Sequence, residues 1–231
     1  MRKMALVLGL LVVAGTLGWG QDRVPQPGAD GIYFDYGGVK PPTLIHAEPA
    51  VIPAGSNLGG EKLLCALEVV VGADGFPKII AVGGKVGPLD EAAVAAVRQS
   101  QFAPGTLYGK PVPVRIFVWV PFLGADKAAI PVTGQLNKVP GVIAPKVLNS
   151  VEAEFSDEAR QRHISGTVLV AMAVTEDGMP ADARVVMPVG AGLDEQALKA
   201  VRKYKFSPAT FEGVPVAVPI TVEVRFMFPF G

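Results

Sequence analysis

The chain has 231 residues, 21 Lys plus Arg against 21 Asp plus Glu, and is 50% hydrophobic and 18% charged. Its neutral balance lacks the basic excess that nucleic acid or anionic membrane binding requires, and its apolar content excludes a disordered chain. Two His and the single Cys65 are too few for a zinc site or an internal disulfide, so no metal or cofactor is expected.

At the N-terminus, Arg2 and Lys3 precede an apolar run that ends near Trp19, followed by polar Gln21 and Asp22. A basic start, an apolar stretch of this length and small Gly18 and Gly20 read as a secretory signal peptide, residues 1–20, cleaved after Gly20. An uncleaved anchor is the alternative, but the run is shorter than the ~20 residues of a spanning helix. Residues 21–37 read as a short flexible lead-in.

The rest of the chain is one unit written twice. Residues 89–122 lie over residues 193–226 at an offset of 104 without a gap, and eighteen of the 34 positions are identical. Upstream, at an offset of 103, Asp74-Gly75 meets Asp177-Gly178, and Val39-Lys40-Pro41-Pro42 meets Val142-Ile143-Ala144-Pro145. The duplication sets two domains, residues 38–124 and 139–231, with a linker at residues 125–138.

Each copy opens with an extended, Pro-bearing entry. In copy two this leads to a short helical turn over residues 156–162, which Ser156 or Asp157 caps. In copy one the corresponding stretch is Ile52-Pro53-Ala54-Gly55-Ser56-Asn57. A first strand follows, Leu63–Val71 or residues 167–175. Ala73-Asp74-Gly75 and Glu176-Asp177-Gly178 then predict hairpins, because Gly supplies the positive φ of a tight turn. The second strands cover residues 78–82 and 183–187.

Leu89, Ala93, Val94 and Val97, and Leu193, Ala197, Leu198 and Val201, recur at helical spacing. Asp90 and Asp194 are expected as N-caps, with Glu91 and Glu195 on the favourable end of the dipole. Pro104 and Pro208 are expected to stop these helices. Turns at Gly109 and Gly213 open the closing strands, residues 112–122 and 216–228. In the second, Ile220, Val222, Val224 and Phe226 alternate with Thr221, Glu223 and Arg225, a half-buried strand. The order β-β-α-β gives an α+β fold in each copy, a small antiparallel sheet packed on one helix.

Phe155-Ser156-Asp157-Glu158-Ala159-Arg160, Gly166-Thr167-Val168, Asp177-Gly178, Leu193-Asp194-Glu195-Gln196-Ala197-Leu198, Phe206-Ser207-Pro208-Ala209 and Gly213-Val214-Pro215-Val216 come in that order. This set resembles the C-terminal domain of the TonB energy-transducer family, and copy one repeats it in divergent form. The resemblance implies two tandem domains of that type in an exported, periplasmic, non-enzymatic protein. In that family the domain binds outer-membrane transporters, whose N-terminal box adds as an extra strand to its sheet edge. The partners implied are proteins or peptides of the cell envelope, TonB-dependent transporters among them.

The edge expected to receive such a strand is the closing strand of each copy: Val114, Ile116, Val118 and Val120 in copy one, Val218, Ile220, Val222 and Val224 in copy two. An edge strand carries unpaired N–H and C=O groups that an extended peptide satisfies. The alternative is a scaffold whose domains pair edge to edge, as in a homodimer. Residues 1–20 hold no His and, of hydroxyls, only Thr16. The lead-in reaches at most ~60 Å when fully extended. Force transduction by this chain alone is therefore not expected.

The remaining chemical candidates have plainer readings. His163 with Ser165 lacks a nucleophile elbow, and His46 sits in a Pro-flanked loop without a partner signal. Cys65 belongs to an apolar strand. Gly83-Gly84 and Gly190-Ala191-Gly192 lack the spacing of phosphate-binding loops. Asp90-Glu91 and Asp194-Glu195 suit helix starts better than paired catalytic carboxylates. Phe117 and Trp119 make the second face of the first closing strand apolar, so something is expected to cover it.

Overall fold

The computed structural model describes residues 25–28, 30–53, 62–83, 87, 89–124 and 129–228. The signal-peptide reading of residues 1–20, the start of the lead-in, residues 54–57, Gly84 and the first residues of the expected linker lie outside the described residues.

Two compact units divide the chain. One holds the described residues up to Ile143 together with Thr210–Val216; the other holds Ala144–Ala209 and the chain from Ala217 onward. In chain order the elements are β1 (Tyr33–Phe34), β2 (Thr43–His46), β3 (Leu63–Val71), β4 (Pro77–Gly83), α1 (Leu89–Gln99), β5 (Gln101–Ala103), β6 (Gly105–Leu107), β7 (Lys110–Val112), β8 (Val114–Phe122), β9 (Val132–Thr133) and β10 (Val142–Ile143). There follow β11 (Lys146–Asn149), α2 (Asp157–Arg162), β12 (Gly166–Val174), β13 (Pro180–Met187), α3 (Leu193–Val201), β14 (Lys205–Ser207), β15 (Ala209–Phe211), β16 (Val214–Val216) and β17 (Val218–Phe226). The fold is α+β, with small, mostly antiparallel sheets. The run β3-β4-α1-β5-β6-β7-β8 recurs as β12-β13-α3-β14-β15-β16-β17, the duplication seen in sequence.

In the first unit the main sheet has the order β1-β8-β3-β4, and β9 pairs with β8 as well. Cys65, Leu67, Val69 and Val71 alternate along β3 and pack with Val118, Val120 and Phe122 of β8 and with Leu89, Ala93, Ala96 and Val97 of α1. Burying a side chain such as Leu67 or Phe122 contributes about 1.5–3 kcal/mol. Leu64, Ala66, Glu68 and Val70, on the other face of β3, are buried too. This is why the strand reads LLCALEVVV without alternation. In the other unit the sheet order is β13-β12-β17, and α3 packs on it through buried Leu193, Ala197, Ala200 and Val201.

Local chemistry explains the turns. Gly75 and Gly178 take φ +83° and +77°. A Cβ on either would also collide with a backbone carbonyl, that of Phe102 or Phe206. Tyr108-Gly109 and Glu212-Gly213 both take positive φ at both residues, the type I′ geometry whose twist suits a two-residue hairpin. Ser156 caps α2, its Oγ accepting from the Ala159 amide at 3.0 Å.

Three expectations are corrected. Asp90 and Asp194 are not N-caps but lie inside α1 and α3, and Gly192 caps α3 without a side-chain bond. The Asp194 carboxylate instead accepts from the amides of Val189 and Gly190, at 2.8 and 3.0 Å, and ties down the incoming loop. Pro104 and Pro208 do not stop the helices; those end at Gln99 and Val201. The prolines separate β5 from β6 and β14 from β15, interrupting the ladder where they cannot donate. Glu223 is 7% exposed, not solvated as the alternation implied. Its carboxylate accepts from Arg225 Nε and Nη2 at 3.0 and 2.6 Å, which compensates the buried charge.

Candidate functional site

The two closing strands present their edges differently. Inward, β8 pairs with β3, Val71 against Val114 through Leu63 against Phe122. β17 pairs with β12 in the same way, Val174 against Val218 through Gly166 against Phe226. In a strand, one residue's N–H and C=O point to one side and the next residue's to the other.

The side each residue serves can be assigned. The Tyr33 amide donates to the carbonyl of Pro113 at 2.9 Å from the side of β8 away from β3, and β1 runs parallel to β8 with Tyr33 opposite Val114 and Phe34 opposite Arg115. Arg115, Phe117 and Trp119 therefore turn their backbone groups outward. Val114, Ile116, Val118 and Val120 turn theirs inward, to β3. By the repeat, Pro219, Thr221, Glu223 and Arg225 face outward from β17, and Val218, Ile220, Val222 and Val224 face β12. Pro219 agrees with this parity, since a residue without an N–H belongs on the unpaired side of an edge strand. The expected site residues thus lie on the two closing strands, and the outward backbone groups of those strands belong to their chain neighbours.

The outer side of β8 is occupied. β1 lies along Val114 and Arg115, and β9 pairs Thr133 with Val118 and Val132 with Trp119. β1 comes from the span read as a flexible lead-in and β9 from the span read as a linker. Trp119 is 2% exposed, its Nε1 donates to the carbonyl of Gly134 at 3.3 Å, and its ring lies 5.9 Å from that of Phe117. The covering expected for this apolar face is thus supplied in part by the segment after β8. Among the described residues no strand pairs with the outer side of β17.

The other candidates take structural places. Cys65 is fully buried, and desolvation, with Asp90 beside it, pushes its thiol up to about 12. The thiol donates to Asp90 Oδ1 at 3.7 Å. At ordinary pH it is a protonated core side chain. His46 bonds Glu48 at 2.9 Å on the surface. His163 terminates α2 in the left-handed conformation, its ring 5.5 Å from that of Phe228. Among the described residues no cluster of three or more metal-ligating side chains occurs, and no helix is long and apolar enough to cross a membrane.

Sequence reasoning missed β1 and β9. Each is two residues long and has no periodicity of its own; the apolar and aromatic cluster Ile32, Tyr33, Phe34 and Tyr36 was the only signal.

The family model described as Gram-negative bacterial TonB protein C-terminal matches residues 60–122 and 151–228. Protein TonB of Vibrio cholerae serotype O1 is 35% identical over 77 residues, which make up 33% of this chain and 32% of that protein. The matched region thus spans about a third of the curated relative.

Proposed function

The chain belongs to the Gram-negative bacterial TonB C-terminal family, and from that premise we propose that it is a periplasmic protein-interaction module that takes up extended segments of envelope partners by β-strand addition. Outer-membrane TonB-dependent transporters are the partner class this reading names. The outer side of β17, which no strand covers among the described residues, carries it: Thr221, Glu223 and Arg225 hold N–H and C=O groups there in the spacing of one further antiparallel strand. Recognition is through the main chain. No bond is made or broken, so the module is not an enzyme.

The test is a calorimetric titration of the full chain with extended N-terminal peptides of such transporters, repeated with Thr221→Pro. That substitution removes one outward N–H and leaves pairing with β12 intact, as Pro219 already does two residues earlier. Saturable uptake by the wild-type chain, weakened about tenfold or more in Thr221→Pro, is expected, since one lost main-chain bond is worth about 0.5–1.5 kcal/mol and the ring also obstructs the incoming strand. Equal uptake by both chains removes β17 as the site. A stable dimer with no uptake favours the alternative, a scaffold joined edge to edge.

A further inference from the structure

The outer side of β8 is closed by a segment that acts as a ligand would. β1 enters parallel to β8, the less stable pairing, and contributes two residues. Around it stands a set of side-chain contacts out of proportion to so short a strand. Arg115 Nη2 lies 2.6 Å from Asp30 Oδ2, the Arg115 guanidinium stacks over the Phe34 ring at 5.5 Å from its centroid, and Tyr33 packs against the cluster of Val39, Leu107 and Val114. The turn before the strand is pinned by the Ile32 amide on Asp30 Oδ1 at 3.1 Å and by the Gly28 amide on the Ile32 carbonyl at 2.8 Å.

The second copy cannot make this contact. Arg115 lies opposite Val70 and, one repeat later, Pro219 lies opposite Ala173. The parallel register of β1 requires an outward N–H at this position. Arg115 has one and Pro219 does not. Nor does copy two have a guanidinium there to hold an acidic lead-in.

We propose that Tyr33–Phe34 is a built-in competitor strand: it holds the closing-strand edge of the first copy shut, so that of the two closing strands only β17 takes up a peptide in the resting chain, and the stretch from Pro113 to Phe117 becomes a second acceptor for an extended peptide when the Asp30–Arg115 latch is released. This rests on the strand-addition reading above. The latch is built to yield. The Asp30 side chain is 46% exposed, so salt screens it, whereas the Arg115 contact with Glu68 is mostly buried and keeps the guanidinium in place after Asp30 has gone. β9 still holds Trp119, which limits the opened edge to about one short strand.

The experiment uses the full chain in three forms: wild type, Tyr33→Pro, which loses the N–H bonded to Pro113, and Asp30→Ala, a surface change that spares the fold. Amide exchange at Arg115 is expected to speed up about tenfold or more in both variants, as local opening does, while Val118 and Val120, which face β3, stay protected. Raised salt speeds Arg115 exchange in the wild type and not in Asp30→Ala. Titration with the peptide that binds β17 is expected to go from one equivalent per chain to two, and Thr221→Pro combined with Tyr33→Pro retains the second alone. Equal Arg115 exchange in all three forms overturns the cap. Faster exchange with uptake fixed at one equivalent overturns the second acceptor. Uptake by none of the forms defeats the strand-addition reading and the second acceptor with it, and the exchange data then decide the cap alone.

Discussion

The guanidinium of Arg115 lies 2.5 Å from the carboxylate of Glu68, with side-chain exposures of 15% and 8%. A charge pair so far from water is held in place by what its loss would leave behind. Removing Arg115 leaves the Glu68 carboxylate in a low-dielectric site without its guanidinium, which costs far more than the pair itself contributes.

Arg115→Ala is therefore expected to destabilise the first unit by about 3 kcal/mol or more, read as a lower denaturant midpoint for that unit. Arg115→Ala combined with Glu68→Leu should recover much of the loss, because the buried carboxylate goes too. A double variant no more stable than the single one would contradict this account.

Two glycines with nearly the same φ should respond differently to alanine. Gly213 has φ +87° and open space within 4 Å of where a Cβ would sit, so Gly213→Ala meets only the left-handed penalty of about 1–2 kcal/mol. Gly178 has φ +77° and also abuts the Phe206 carbonyl, while its own carbonyl accepts from the Phe206 amide at 2.9 Å. Gly178→Ala must move that strand as well and should be clearly the more destabilising. Thermal melts of the two variants side by side decide it.

Ser156→Ala should cost about 1 kcal/mol, within the usual range for loss of an N-cap. The hydroxyl accepts from Ala159 and donates to the carbonyl of Ala191 in the loop before α3. Amide exchange should therefore rise at Ala159 and also around residues 190–192. A rise at the helix alone would mean that the second bond contributes nothing.

Burial, and then Asp90, push the Cys65 thiol up to about 12 from an ordinary value of 9.0. The unfolded chain gives up this proton at lower pH than the folded chain. The stabilisation tied to the protonated thiol is thus complete below about pH 9 and is lost as pH rises toward 12. Stability of the wild type should fall more steeply across that window than that of Cys65→Ala. A thiol reagent at pH 8 should label the folded chain slowly and the denatured chain at once.

The elements legible in sequence were those whose signal is local. Leu63–Val71 is a long apolar run closed by a Gly turn, and it folds as the strand expected. Leu89 and Leu193 open the expected helices, whose buried faces include Leu89, Ala93 and Val97 and Leu193, Ala197 and Val201 as the spacing implied, while Val94 and Leu198 are only half-buried. Where the reading failed, a non-local partner had the deciding vote. Pro104 and Pro208 resemble helix stops until β5 and β14 are seen to pair with β2 and β11. The reading of Glu223 failed for another reason: its partner Arg225 is only two positions away on the same strand, and it was the burial of that face that alternation could not show.

From the amino-acid sequence alone came the duplicated unit, its strand-hairpin-helix-strand order, its glycine turns and the poverty of catalytic and metal-binding side chains, because each of these is written in residue identity over short spans. Tertiary structure alone decided that the outer side of β8 is covered while, among the described residues, no strand lies on that of β17. That depends on whether Tyr33 and Val132, about 80 and 13 residues from their partners on β8, find a strand with outward N–H groups to pair with. A two-residue strand has too little pattern to announce itself, and its pairing becomes favourable only once the sheet it joins has formed.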